Sequence, residues 1–244
     1  MGHTTDWAAE LGPADSSAIE EALDFVRSTT PEDLPGRILR GLDEDQLSAV
    51  TAHCSPDHVA AMVFPPSRDR LVAALRNSGL KVEEPVPSVV VRDRLARRHR
   101  IPLADLDLSI LRIALPQEAC SSMSVELFVL PVPTGSPLTA IAVRERTERT
   151  EHHLAFSVRG GDEAVLDWLR CLFGEQGTLL PESGGFNPGE DSTVFYYRTD
   201  RDPNDLGYHR LELRVPGRHP RALASHLASE MRGGTATSEC CWPC

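Results

Sequence analysis

The stretch "HHLAFSVR" (152–159) opens on histidine and continues as a short apolar run of the kind that forms a half-buried strand. An earlier stretch, "DHVAAMVF" (57–64), has the same form. Each is followed by an amphipathic helical pattern, "SRDRLVAALRNSGL" (67–80) after the first and "GDEAVLDWLRCLFGEQG" (161–177) after the second. Further strand-like runs come next. In the first half they are "PSVVVRD" (87–93), "LSILRIAL" (108–115) and "SVELFVLP" (124–131). In the second half a Gly/Pro-rich connection, "ESGGFNPGED" (182–191), leads to "STVFYYRT" (192–199) and "RLELRVPG" (210–217). Each half therefore reads as strand, helix and about three strands, and each closes on an apolar-Glu-Leu strand. A supersecondary unit that recurs in this way is the signature of a duplicated architecture.

The two halves differ in length. His58 to Glu126 spans 68 residues and His153 to Glu212 spans 59. A basic insertion around Arg92–Asp105 accounts for the excess. Its run "RDRLARRHR" (92–100) is expected as a solvated polar face, with an anion or partner site as the alternative.

Strand alternation gives these residues a chemical meaning. His58 and His153 open their first strands, and Glu126 and Glu212 lie within their last strands, each between apolar neighbours. A buried carboxylate without a partner is costly, so a shared cation is a natural resolution. Imidazole and carboxylate donors suit Zn, Ni, Mn or Fe(II). By alternation, His152 should face away from His153, towards solvent or behind the site.

These motifs, over about Pro56–Pro216, resemble the vicinal oxygen chelate superfamily of glyoxalases, extradiol dioxygenases, epimerases and antibiotic-resistance binding proteins. The resemblance implies an α+β fold, with two βαβββ modules forming a metal-centred cup. It implies a divalent-metal ligand set of His58, Glu126, His153 and Glu212, with Glu126 and Glu212 as catalytic carboxylates. The implied activity is isomerase or lyase chemistry on a small chelating oxygenated metabolite. The alternatives are a non-haem Fe(II) dioxygenase using His58, His153 and Glu212, and a metal-free binding protein. The 182–191 segment is expected as a loop over the cavity, with Phe186, Asn187 and Tyr197 as substrate contacts.

The flanks read differently. Residues 1–55 form a helical segment, with "SSAIEEALDFVRS" (16–28) carrying Ser17 and Glu20 at capping-box spacing. "PEDLPGRILRGL" (31–42) reads as a short helix interrupted by Pro35, and "DEDQLSAVTAHC" (43–54) as one capped by Asp43 with Gln46 three residues on. The modules are expected over 56–145 and 146–230, the second closing with a helix at "HPRALASHLASEM" (219–231). Residues 231–244 are expected as a flexible tail containing Cys240, Cys241 and Cys244. The tail's Gly-Gly pair also fits a leader junction, with "TATSECCWPC" as a peptide altered by partner enzymes.

Composition limits the partners. A net charge of −11 argues against nucleic acid. No run reaches the roughly 18 apolar residues of a membrane helix, and no secretory signal opens the chain. A cytoplasmic monomer or homodimer is expected, with reduced thiols and Cys171 as a buried apolar side chain. P-loop, nucleophile-elbow, zinc-protease and dinucleotide-binding motifs are absent.

Overall fold

The computed structural model describes residues 6–39, 41–115, 123–175, 179–199, 208 and 210–231. Cys240, Cys241 and Cys244 lie outside them, as does the rest of the tail after Met231. In chain order the helices are α1 (Pro13–Ser28), α2 (Leu34–Ile38), α3 (Glu44–His53), α4 (Arg68–Asn77), α5 (Val90–His99), α6 (Thr139–Glu148), α7 (Glu163–Glu175) and α8 (Pro220–Met231). The strands are β1 (Cys54–Val63), β2 (Lys81–Val82), β3 (Val86–Pro87), β4 (Ser109–Ala114), β5 (Ser124–Val129), β6 (His153–Val158), β7 (Leu180–Asn187), β8 (Ser192–Arg198) and β9 (Arg210–Pro216). The protein is α+β: the second unit runs β6-α7-β7-β8-β9, a βαβββ order, and the first follows it as β1-α4-β2-β4-β5 with β3 and α5 inserted. No helix among the described residues is long and apolar enough to cross a membrane.

The chain divides into two compact units, Met1–Thr29 with His58–His152, and Thr30–Asp57 with His153–Cys244. The N-terminal helices are thus shared between the units. Strand β1 starts in the second and continues into the first.

In the first unit the strand order is β2-β4-β5-β1, with β3 also on β4. Strands β1 and β5 are parallel, and β5 is antiparallel to β4. One sheet face carries Ala60, Met62, Phe64, Ile110 and Phe128, which form a core with Val91, Leu95 and Ala96 of α5 and Ala142 of α6. Helix α5 replaces an expected strand: "PSVVVRD" supplies only Pro87, the last residue of β3, before the chain turns helical. The valines are read correctly as apolar, but Val91 and Leu95 are spaced at i and i+4, which buries one stripe of a helix.

The basic run is correspondingly less solvated than expected. Arg94 is buried and ion-paired with the fully buried Glu151. Arg98 reaches Glu145 at 2.9 Å and Glu151 at 2.7 Å, and His99 lies 2.7 Å from Glu145. Burial of charge is tolerated here because Arg94 and Arg98 each meet a carboxylate.

Helix α1 begins at Pro13, ahead of the expected Ser17 box. Proline suits a first turn, where its missing N–H has no partner to lose. The Ser17 hydroxyl donates to Glu21 at 2.8 Å instead. Asp15 of α1 is fully buried, accepts two bonds of 2.8 Å from Arg146 of α6, and accepts from the Phe64 backbone N–H at 3.1 Å.

In the second unit the order is β6-β9-β8-β7, with β6 and β9 parallel and the other pairings antiparallel. Asp43 caps α3 as expected: it accepts from the Gln46 N–H at 2.8 Å, and the Gln46 side chain accepts from the Asp43 N–H at 3.0 Å. The segment expected as a loop, 182–191, is mostly strand β7, and only its last residues turn. Gly184 explains the glycine content, because a Cβ there would meet the Val194 carbonyl oxygen at 2.7 Å and Leu223 of α8 at 2.8 Å.

Cys54 is buried and free, and burial pushes its thiol up to about 12. Cys171 is buried as expected but is disulfide-bonded, not a reduced thiol.

Candidate metal centre

Each unit places a histidine and a glutamate at matching positions. In the first, His58 lies on β1, and Glu126 of β5 sits opposite Ala60, two residues on. In the second, His153 opens β6, and Glu212 of β9 sits opposite Ala155, again two residues on. An offset of two on parallel strands keeps both side chains on one sheet face. All four residues are buried, none more than 3% exposed.

The pairs differ in geometry. His153 Nε2 lies 3.2 Å from Glu212 Oε2, whereas His58 Nε2 lies 3.9 Å from Glu126 Oε2. Two donors bound at about 2.1 Å on adjacent corners of a coordination shell stand roughly 3.0–3.4 Å apart. The His153–Glu212 spacing fits two ligands of one ion, and the His58–Glu126 spacing is wider. Within the second unit, His153 and Glu212 are buried and carry the donor types of a metal centre. Glu126 of the first unit has a different partner. Its Oε2 accepts from both Nε and Nη2 of Arg112, each at 3.1 Å.

Strand β8 resolves which tyrosine faces the histidine. Tyr196 sits opposite Glu212 and packs edge-on against the His153 ring, with centroids 5.4 Å apart. Tyr197, expected as a substrate contact, points the other way, between Phe173 of α7 and His226 of α8 at 5.3 and 4.9 Å. It is fully buried, which raises its hydroxyl pKa and leaves it protonated. Alternation exposes one tyrosine of a pair to each face, and the helices α7 and α8 take the face of Tyr197.

Phe186 lies under the Arg218 guanidinium, 4.3 Å from its ring centre. Asn187 closes the β7–β8 turn: its side-chain amide donates to Glu190 at 2.8 Å, and its carbonyl oxygen accepts from the Gly189 N–H at 3.3 Å. His152 is buried, not solvent-facing, and its N–H donates to the Arg149 carbonyl at 3.1 Å. Arg112 is the neighbour that sequence reasoning passed over, and Tyr196 the one that strand alternation left undecided against Tyr197. Both were within reach of strand pairing, since each is the residue directly opposite a glutamate.

No protein-family profile matches the chain, and no curated protein matches it. Among solved structures it is similar to a methylmalonyl-CoA epimerase from Mycobacterium tuberculosis, with 18% identity and a TM-score of 0.39, over 67% of this chain and 88% of that one. A hypothetical protein from Bacillus halodurans matches with 12% identity and a TM-score of 0.38, over 69% and 98%. A Streptomyces coelicolor methylmalonyl-CoA epimerase variant in complex with 2-nitronate-propionyl-CoA matches with 15% identity and a TM-score of 0.36, over 67% and 97%. Methylmalonyl-CoA epimerases recur among these neighbours.

Proposed function

We propose that the protein is a divalent-metal-dependent enzyme of isomerase type, acting on a small metabolite with adjacent oxygens. The observation that carries this reading is the repeated buried His–Glu pair, at the same strand offset in both units. Such a set of imidazole and carboxylate donors is the chemistry of a cation site. His153 and Glu212, which stand at ligand spacing, would hold the ion. When bound, it supplies Lewis acidity towards the substrate oxygens.

Glu126 then has a separate task. Arg112 fixes its carboxylate by two bonds to one oxygen. A carboxylate held in this way takes the proton from the carbon next to a carbonyl and returns it to the product, so that proton and charge balance over the cycle. Tyr196, against the ring of His153, orients that imidazole and narrows the space beside it.

The test is metal analysis of protein purified without added ions, with deuterium wash-in from D2O into a panel of chelating carbonyl compounds. About one equivalent of metal, and exchange lost in Glu126→Gln, support the reading. Metal-free protein would sink it.

A further inference from the structure

The first unit holds a polar cavity whose lining includes neither His58 nor Glu126. Its volume is about 410 Å3, and its walls include Arg68 and Asp69 of α4, Pro85, Arg92 of α5, Asp107 and Ser109. That volume is within the range of pockets that take small molecules, about 300–1,000 Å3.

The charges lining it are unequal in commitment. Arg68 Nη1 donates to Asp107 at 3.1 Å and also to the Ser109 hydroxyl, so this cation and Asp107 satisfy one another. Asp69 is exposed and screened by water. Arg92 is only partly exposed, its Nε is buried, and it makes no hydrogen bond or ion pair among the described residues. Neighbouring cations on the same helix behave otherwise: Arg94 and Arg98 meet buried carboxylates, and Arg97 pairs with Asp93. A guanidinium with a desolvated N–H and no acceptor is poised for an incoming one. Its fork matches a carboxylate or phosphate in two-point contact. The first turn of α4, capped by Ser67, contributes its N-terminal dipole to the same wall.

We infer that this cavity binds the oxyanion of a small molecule, a carboxylate or a phosphate, on Arg92, with the Arg68–Ser109 side as its second contact. It gives the "RDRLARRHR" run a binding role at its first residue, while the later cations build the fold. The site is independent of the proposed metal centre.

The experiment is ligand-observed NMR of the full-length protein at low ionic strength, with inorganic phosphate and with butyrate as separate probes. Saturable binding of either supports the inference and names the class of oxyanion. Arg92→Gln should weaken it about tenfold or more, the loss expected of a charge-assisted fork contact. Arg92→Lys should restore part of it, and Arg97→Gln, an exposed charge on the same helix, should change it less than about twofold. The metal content of Arg92→Gln should be unchanged, so the inference stands or falls apart from the proposed function. No saturable binding, or equal loss in Arg92→Gln and Arg97→Gln, would overturn it. So would phosphate binding untouched by Arg92→Gln.

Discussion

Arg112 lies directly opposite Glu126 on β4 and β5, and the corresponding position opposite Glu212 is Tyr196. The duplicated units thus give their two glutamates different partners: a cation that satisfies one carboxylate, and an aromatic edge that leaves the other beside an imidazole. One sequence motif, apolar-Glu-Leu, therefore carries two chemical roles.

If His153 and Glu212 are ligands and Glu126 is the proton carrier, the variants separate. His153→Ala and Glu212→Gln should purify with less than about half an equivalent of metal. Glu126→Gln should keep its metal and lose turnover by about 100-fold or more, the typical worth of a general base. Elemental analysis beside steady-state rates checks both.

Removing Arg112 should strand a carboxylate that is only 3% exposed. Arg112 itself is partly open to water, so Arg112→Met should cost about 2–3 kcal/mol, less than the loss of a fully buried partner. Denaturant unfolding measures this. Added metal should not restore the loss if Glu126 stays off the ion, and full restoration would place Glu126 among the ligands.

Asp15 joins α1, α6 and the end of β1 through Arg146 and the Phe64 N–H. Asp15→Ala leaves both donors unmet, with an expected loss of about 3 kcal/mol. Asp15→Asn, which keeps an acceptor, should lose less. Urea unfolding of the pair tests the ranking.

His226 is fully buried on α8, and its Nε2 donates to the carbonyls of Ser183 and Tyr196 at 3.0 and 3.1 Å. Burial holds its pKa down, from 6.5 to about 4. The folded state therefore prefers the neutral ring. Above pH 6.5 the ring is neutral in both states, and its contribution is complete. Between pH 6.5 and 4 the unfolded chain takes the proton first, so stability falls by up to about 3 kcal/mol. Unfolding at pH 7, 5 and 4 should show that slope, reduced in His226→Gln.

Gly184→Ala pushes a methyl against a backbone oxygen at 2.7 Å, which cannot move aside as a side-chain end can. The expected cost is about 1–3 kcal/mol, with α8 displaced from β7. A lowered melting temperature and faster hydrogen exchange in α8 would show it.

The sequence by itself determined the repeat, the strands that carry His58, Glu126, His153 and Glu212, and the Asp43 cap. These rest on local periodicity and on hydrogen bonds between residues three apart, which a linear chain displays. Its reading failed where partners are distant. Val89–Val91 looked like strand because β-branched residues favour it, and only packing on Phe128 and Ile110 made α5 a helix. The 182–191 stretch looked like loop because glycine usually breaks strands, and only the close approach of the Val194 carbonyl and of Leu223 on α8 gives Gly184 its reason. Likewise the choice between Tyr196 and Tyr197, and the capture of Glu126 by Arg112, needed the register of β4 and β8. Alternation says that neighbours face opposite ways; which face meets a helix and which meets a histidine is decided by tertiary packing.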